Sequence, residues 1–207
     1  MKKIFSARTF WLSLTAFVGL AALAFTVGDP IQIGSTMPKA ELKMQNIAGD
    51  QTSMKEAMKK NGVLVMFSCN TCPYVIKNQE RTMAISAYAV KNDIGVIILN
   101  SNEAYRGNED SFDAMKAYAK DQGYTWSYVV DRNHEVADAF GANRTPECFL
   151  FDKNLKLAYH GAIDDSPSDV SAVKRVHLKE AINEMAAGKD VTVKESRSVG
   201  CTIKRKK

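Results

Sequence analysis

The sequence predicts an α/β fold of three layers, in which a mixed β-sheet lies between two layers of helices. Short, continuous apolar runs alternate with amphipathic helical segments, a pattern that is typical of parallel strands buried on both faces. A strand–turn–strand pair and a final helix close the chain, so the last strands are expected to run antiparallel. The 207 residues suffice for one domain with a full hydrophobic core.

The first half of the body begins with a lead-in of turns around one short strand. Ser53 is predicted to cap a short helix that ends near Lys60, since Glu56 stands at the capping-box position. The apolar run GVLVMFS then predicts a buried strand, and the polar–apolar pattern after it predicts a helix over 73–90. A second apolar run, IGVIILNS, predicts the next buried strand, and a polar loop over 101–109 follows it.

The second half continues the alternation. The spacing of Phe112, Met115 and Ala119 predicts a helix over 110–122, because these residues share one helical face. The remaining predicted elements are a strand at WSYVVD, a short helix over 134–140, the hairpin strands ECFLFD and LKLAYHG around a turn at Lys153-Asn154, and a final amphipathic helix over 171–187.

The N-terminal segment 1–24 predicts a signal peptide. Basic residues in MKKIFSAR precede an uncharged, mostly apolar run, and Ala22-Leu23-Ala24 fits the small-x-small cleavage pattern. An uncleaved membrane anchor is the alternative, because the uncharged run is about long enough to span a bilayer. Either form places the body, a domain predicted over 29–188, outside the cytoplasm, in the periplasm or at the cell envelope, where disulfides persist.

The basic excess of the chain lies at its two ends. The net charge is +5, and 189–207 holds seven basic and two acidic residues, which predicts a solvated basic tail. No basic helix or aromatic-basic surface accompanies this tail, so nucleic-acid binding is not expected.

The stretch FSCNTCP carries the chemistry. The free backbone N–H groups at a helix N-terminus stabilise a thiolate, so Cys69 is expected in the first helical turn as the attacking nucleophile and Cys72 one turn further in as the resolving thiol. The alternatives are a structural disulfide and half of a zinc site, although no second CxxC or close His pair is present in the sequence. No cofactor is expected.

The motifs resemble those of the thioredoxin superfamily. This resemblance rests on three features: a strand, the stretch FSCNTCP that opens a helix, and RTPECFLFDKNLKLAYHG about 75 residues later. The chain also resembles the redoxin-domain, peroxiredoxin-like subfamily, which has a CxxCP motif, in the segment VVDRNHEVADAFGANRTPECFLFD and in the closing GCTIK. The resemblance implies a thioredoxin-like sandwich with a peroxiredoxin-type helix–strand insertion over 110–130. It also implies a cis peptide bond at Thr145-Pro146 that packs against the two cysteines and offers backbone groups to a partner.

The same resemblance implies an exported thiol–disulfide oxidoreductase whose partners are protein thiols or disulfides and a redox donor protein. An antioxidant thiol peroxidase that acts on peroxide is the alternative. Thioredoxin itself has a tryptophan before its CxxC and a buried aspartate on the preceding strand, whereas this chain has Ser68 and no acid in that strand. Glu147 and Glu80 are therefore candidate proton acceptors for Cys72. Peroxiredoxins carry Thr-x-x-Cys, where this chain has Met66, but Arg144 could serve as their thiolate-facing arginine.

Two further cysteines and one histidine complete the candidates. The alternation of the strand after Pro146 predicts that Cys148 is a small core residue. Cys201, in the polar tail, is a possible additional redox cysteine that could form a disulfide with Cys69 or Cys72; it could also pair between chains or be idle. A copper(I) site of two thiolates and His160, as in thioredoxin-fold copper chaperones, is a second alternative function.

Overall fold

The computed structural model describes residues 28–206, and within them a seven-stranded mixed sheet forms the centre of the fold. Its strands are β1 (Met44–Asn46), β2 (Gln51–Thr52), β3 (Gly62–Ser68), β4 (Ile94–Asn100), β5 (Ser127–Val130), β7 (Glu147–Phe151) and β8 (Leu157–Gly161). Two short strands, β6 (Arg144–Thr145) and β9 (Cys201–Thr202), form a separate antiparallel ladder.

The helices are α1 (Met54–Ala57), α2 (Pro73–Lys91), α3 (Phe112–Gln122), α4 (Glu135–Phe140) and α5 (His177–Ala186), with 3-10 turns at Glu103–Tyr105, Arg132–His134 and Val170–Ala172. The sheet order is β2-β1-β5-β4-β3-β7-β8. The pairs β3–β4 and β4–β5 are parallel, and the pairs β3–β7, β7–β8 and β1–β5 are antiparallel. The mixed sheet predicted from the sequence is confirmed.

Helices cover both faces of the sheet, because the central strands bury side chains on both sides. On one face, Leu64 and Met66 of β3 pack in a cluster with residues of α2, α3 and α5. On the other face, Val65 and Phe67 pack in a cluster with residues of α1 and α4. The three-layer sandwich and the helix–strand insertion formed by α3 and β5 are therefore present as predicted.

Three predicted elements differ in extent. The lead-in holds two strands, β1 and β2, where one was expected, and the helix capped by Ser53 ends at Ala57. The final helix begins at His177 because the preceding segment is held in another conformation: Asp165 accepts the N–H of Lys174 at 3.0 Å and its own N–H reaches the carbonyl of Arg175 at 3.1 Å.

The predicted signal peptide, 1–24, lies outside the described residues. Among residues 28–206, no helix has both the length and the apolar character needed to cross a bilayer.

Candidate active site

Strand β3 and helix α2 present the two cysteines of FSCNTCP. Strand β3 ends at Ser68, Cys69 follows it directly, and Cys72 is the N-cap of α2 with Pro73 in the first helical position. The expectation that Cys69 lies in the first helical turn is wrong, because Cys69 precedes the N-cap of α2 by three residues. The reason is Pro73, whose fixed φ and missing N–H suit the first helical position and so place the cap one residue earlier.

Both sulfurs lie against Thr145. Cys69 Sγ is 3.5 Å from the Thr145 hydroxyl oxygen, and Cys72 Sγ is 3.4 Å from the Thr145 carbonyl oxygen. The peptide bond between Thr145 and Pro146 is cis, which confirms the geometry that the resemblance implied. Thr145 belongs to β6, so this short strand, the cysteines and the cis-proline form one site at the carboxyl end of β3.

The Cys69 thiol is shielded from solvent. Its residue is 2 % exposed, and this burial raises the pKa of the thiol above its ordinary value. The contact with the Thr145 hydroxyl lowers the pKa, the charge of Asp110 raises it, and the backbone N–H groups of Cys72 and Thr71 lower it by smaller amounts. In the state that the structure shows, Cys69 is therefore buried in surroundings that disfavour its thiolate, in contrast to the stabilised thiolate at a helix N-terminus that the sequence predicts.

The disulfide in the structure joins Cys72 to Cys201, 129 residues further along the chain, with 6.1 Å between their Cα atoms. Cys69 and Cys148 are free. Of the pairings considered for Cys201, the structure shows the bond with Cys72, and the expected bond between Cys69 and Cys72 is absent in this state. Three sulfurs therefore meet at one site, since Cys69, Cys72 and partly buried Cys201 pack in a single cluster with Val75 and Tyr74.

The basic tail does not end in solvent as expected. In the β6–β9 ladder, Thr145 lies opposite Cys201 and Arg144 lies opposite Thr202. Ile203 is buried in the core cluster of β3 and α4, and its N–H donates to the carbonyl of Asn143 at 3.1 Å. The tail thus adds a strand to β6 beside the cysteines.

A buried polar network fixes the residue between the cysteines. The Asn70 N–H donates to Asp110 Oδ1 at 2.9 Å, and the Asn70 side chain accepts from the Tyr128 hydroxyl at 2.9 Å. Asp110 is fully buried and also accepts from the side-chain amides of Asn100 at 2.7 Å and Asn102 at 2.9 Å. Because every one of these polar groups has a partner, the network holds the turn between Cys69 and Cys72 in one conformation.

Asp110 is the site residue that the sequence analysis missed. Its carboxylate is close enough to Cys69 to raise the pKa of that thiol. The segment NSNEAYRGNED reads as a polar surface loop, but it folds inward, because Arg106 donates to the carbonyls of Asn100 and Asp110 at 2.7 and 2.6 Å. The available signal was its density of Asn and Asp, residues that satisfy buried backbone groups in irregular segments.

The two supporting candidates occupy different surroundings. Glu147 is buried: one carboxylate oxygen lies 2.8 Å from His160 Nε2, and the other accepts the N–H groups of Asn143 and Arg144 at 2.8 and 2.9 Å. None of these partners is a cysteine sulfur, so Glu147 holds the start of β6. The Arg144 side chain is exposed, and within residues 28–206 it forms no ion pair or hydrogen bond. Its proposed approach to the Cys69 sulfur is not seen.

The other candidates lie away from the exchange chemistry. Cys148 is fully buried, as predicted, and burial raises the pKa of its thiol strongly. His160 pairs with Glu147 and stacks on Phe149, so the copper site of Cys69, Cys72 and His160 is not formed in this structure. Residues 28–206 contain no group of three or more His, Cys, Asp or Glu side chains that could hold a metal ion.

The chain is similar in sequence to a known family and to a known enzyme. Residues 32–176 match the Redoxin family. The chain is 30 % identical over 150 residues to the thiol-disulfide oxidoreductase ResA of Geobacillus thermodenitrificans (strain NG80-2), a match that covers 70 % of this chain and 79 % of that protein.

Solved structures share the fold. An uncharacterized conserved protein from Geobacillus kaustophilus superposes with a TM-score of 0.78 at 30 % identity, over 84 % of this chain and 93 % of that one. The thioredoxin domain of a thiol-disulfide oxidoreductase from Bacteroides vulgatus superposes with a TM-score of 0.53 at 16 % identity, over 64 % and 89 % of the two chains. The chain therefore belongs to the redoxin family of the thioredoxin superfamily, and within it to the thiol–disulfide oxidoreductases.

Proposed function

We propose that the protein is an exported enzyme that exchanges disulfides with protein partners through Cys69 and Cys72. The observation that carries the proposal is the convergence of both sulfurs on Thr145, beside the cis peptide bond and at the end of β3. Export is proposed from the basic start and apolar run of 1–24, and it would place the cysteines where disulfides persist.

The exchange proceeds by two thiolate attacks. When Cys69 and Cys72 are joined, a partner thiolate attacks Cys69 Sγ, which forms a mixed disulfide and releases the Cys72 thiolate. A second partner thiolate attacks the mixed disulfide and releases Cys69. Two electrons pass from the partner to the enzyme, and the protons lost by the partner thiols end on Cys69 and Cys72 through solvent. A redox acceptor protein then takes up the two electrons and restores the disulfide; in the opposite direction, a redox donor protein reduces the couple, and the enzyme reduces partner disulfides.

The residues around the cysteines assist this exchange in distinct ways. The N–H groups of Thr71 and Cys72 and the hydroxyl of Thr145 favour negative charge on Cys69 Sγ. The backbone of β6 offers a strand edge on which an extended partner segment can pair, while Asp110 holds the turn that separates the two thiols. Pro146 sets the direction in which β6 meets the sulfurs.

A trapping experiment tests this function. In the double variant Cys72→Ser/Cys201→Ser, Cys69 has no internal thiol to release it, so mixed disulfides with protein partners should accumulate on non-reducing gels of envelope extracts. The matched control is Cys69→Ser/Cys201→Ser, which should trap none. Removing Cys201 in both variants prevents the tail from forming a bond with Cys69 instead.

A thiol peroxidase is the second candidate. Peroxide would oxidise the Cys69 thiolate to a sulfenic acid and release water or an alcohol, and Cys72 or Cys201 would then form a disulfide with it and release water. The Thr145 hydroxyl, 3.5 Å from Cys69 Sγ, supports this reading as a donor beside the reacting sulfur, whereas Met66 three residues before Cys69 faces the core. If the trapping variant collects no partner while peroxide oxidises Cys69 rapidly, the peroxidase function replaces the exchange function.

A further inference from the structure

The C-terminal tail is attached to the domain at two separate places. The first is β8, where His160 donates its N–H to the carbonyl of Lys194 at 2.9 Å and accepts the N–H of Ser196 at 3.0 Å. The Ser196 hydroxyl also accepts the N–H of Ala162 at 3.0 Å. This first attachment lies upstream of the cysteine and does not involve the cysteine site, so it can remain in place when the rest of the tail moves.

The second attachment covers the cysteine site. Beyond the β6–β9 ladder, the Lys204 N–H donates to Asn102 Oδ1 at 2.8 Å, and the Arg205 guanidinium donates to Asp138 Oδ1 at 2.7 Å and to the Ala142 carbonyl at 2.7 Å. At its start, Gly200 approaches so closely that an added Cβ would lie 2.2 Å from the Thr145 carbonyl oxygen. The tail is therefore closely packed in the groove that is formed by β6, Asn102 and Asp138.

We propose that residues 200–205 are a tethered internal substrate of the exchange couple, and that Cys201 keeps the site closed until Cys69 displaces it from Cys72. The inference rests on the proposed function of Cys69 and Cys72, and it adds a third redox cysteine and a gate to it. The closed state is the one in the structure. In the open state, Cys69 and Cys72 are joined and Cys201 is a free thiol on a released tail.

The step between the two states balances without an external oxidant or reductant. The Cys69 thiolate attacks Cys72 Sγ, the Cys69–Cys72 bond forms, and the Cys72–Cys201 bond breaks. The electron pair of the broken bond stays on Cys201, which takes up through solvent the proton that Cys69 lost. One disulfide and one thiol are present before and after, so the step is an isomerisation that moves the disulfide into the CxxC couple.

Three features keep a partner out of the closed state. The edge of β6 is occupied by β9, the Cys72 sulfur is bonded to the tail, and Cys69 is 2 % exposed. Because the attachment at β8 tethers the released segment, its effective concentration at the groove is on the order of millimolar. A partner must therefore compete with the tail even after the Cys72–Cys201 bond has broken.

The docked tail also indicates what kind of partner fits. The groove takes an extended segment with a cysteine, an apolar residue two positions later and a basic residue four positions later, as in Cys201, Ile203 and Arg205. The apolar position enters the core cluster, and the basic position meets the carboxylate of Asp138. We expect protein partners to present this pattern on an unpaired strand.

Disulfide mapping tests the gate. Digestion with trypsin places Cys69 and Cys72 on the peptide 61–77 and Cys201 on the peptide 198–204. The closed form, in which Cys72 is bonded to Cys201, therefore gives two peptides linked by a disulfide. The open form gives the peptide 61–77 with a disulfide inside it. The chain is equilibrated in a glutathione buffer, alkylated and digested. We expect linked peptides from the wild-type chain and from Cys69→Ser, whose Cys72 has no other partner at the site. Gly200→Ala should shift the wild-type linkage to the open form.

The same equilibrated proteins are compared by which thiols are alkylated after quenching in urea. Cys69 is the free thiol of the closed form and Cys201 is the free thiol of the open form, so Gly200→Ala should raise the ratio of labelled Cys201 to labelled Cys69 roughly tenfold, which corresponds to about 1.4 kcal/mol against the docked tail. In Cys201→Ser the disulfide at the site can form only between Cys69 and Cys72, so the labelled fraction of Cys69 should fall below that of the wild-type chain, and this variant keeps the test decisive if Gly200→Ala folds poorly. Gly107→Ala is the matched control, since nothing lies within 4 Å of a Cβ at that position. Linkage confined to the peptide 61–77 in the wild-type chain, or a labelled fraction of Cys69 that is equal in all four proteins, would overturn the gate.

A peptide measurement tests the groove independently. A synthetic peptide with the sequence of residues 198–206 should form a mixed disulfide with the Cys201→Ser chain, and the versions with Ile203→Asp or Arg205→Glu should react roughly tenfold more slowly. Equal rates for the three peptides would show that the groove does not select its occupant. Failure of the Cys72→Ser/Cys201→Ser trap would instead count against the exchange function, because that variant has no tail bond.

Discussion

Glu147 and His160 form a buried pair across β7 and β8, with 2.8 Å between Glu147 Oε1 and His160 Nε2. The second carboxylate oxygen accepts two backbone N–H groups at the start of β6, those of Asn143 and Arg144. The buried carboxylate of Glu147 thus links β8, where the tail is first attached, to β6, where the tail is attached a second time.

The substitution Glu147→Ala should lower the free energy of unfolding by about 3 kcal/mol, because it leaves two backbone donors and the buried histidine without their acceptor. Urea denaturation measures this change. Glu80→Ala on the exposed face of α2 is the control and should stay within about 0.5 kcal/mol of the wild-type chain. Similar losses for the two variants would show that the buried pair does not stabilise β6.

The substitution Asp110→Asn should lower the pKa of Cys69, since the charge of Asp110 raises it. The pH profile of Cys69 alkylation in the reduced Cys201→Ser chain should therefore shift toward lower pH. Stability should fall by roughly 1–3 kcal/mol, because Asn70 and Asn100 donate to one carboxylate oxygen and Asn102 to the other, so the amide nitrogen would face at least one of these donors. Asp113→Asn, on the exposed side of α3, should leave the profile unchanged.

Cys148 should resist alkylation in the native protein, because it is fully buried and burial raises the pKa of its thiol. Mass spectrometry after alkylation across a urea series should show modification of Cys148 only as the fold is lost. Cys148→Ser should cost roughly 1–3 kcal/mol of stability, since it buries a hydroxyl among apolar residues. Modification of Cys148 in buffer without urea would place this thiol in the redox chemistry.

The substitution Arg144→Ala should change neither stability beyond about 0.5 kcal/mol nor the rate at which peroxide oxidises Cys69, because this side chain is exposed and forms no ion pair within the described residues. Arg106→Ala is the contrast. It removes donors to the carbonyls of Asn100 and Asp110 and should cost about 2 kcal/mol. A fall of tenfold or more in the peroxide rate of Arg144→Ala would support the peroxidase function.

The sequence predicts the layers of this fold because their signals are local. Apolar runs and helical spacing identify most elements, and the capping box of Ser53 and Glu56 forms as expected. The start of α2 is predicted correctly at Pro73, a residue that fits the first helical position and makes Cys72 the cap. The expectation that Cys69 lies in the first helical turn conflicts with this signal, because Cys69 precedes the cap by three residues.

The closed site depends on contacts between distant parts of the chain, and local patterns do not reveal these. The tail is mostly polar and basic, with isolated apolar residues such as Val199 and Ile203, so nothing in its composition predicts a strand paired with β6. Asp110 is 40 residues from Asn70 in sequence, and a loop rich in Asn and Asp has the same composition whether it faces solvent or fills a buried network. In both cases the conformation depends on a contact with a residue that is distant in sequence, and local sequence patterns do not identify that residue.

The bond between Cys72 and Cys201 also encloses most of the domain, because 129 residues separate its ends. A cross-link over a loop of this length restricts the unfolded chain and stabilises the fold by about 4–5 kcal/mol in the chain-entropy description. Moving the disulfide to the neighbouring Cys69 and Cys72 gives up more than half of that restraint in the same description. The melting temperature should consequently be higher when Cys72 is joined to Cys201 than when it is joined to Cys69. Calorimetry of the whole domain would then report which two sulfurs are bonded.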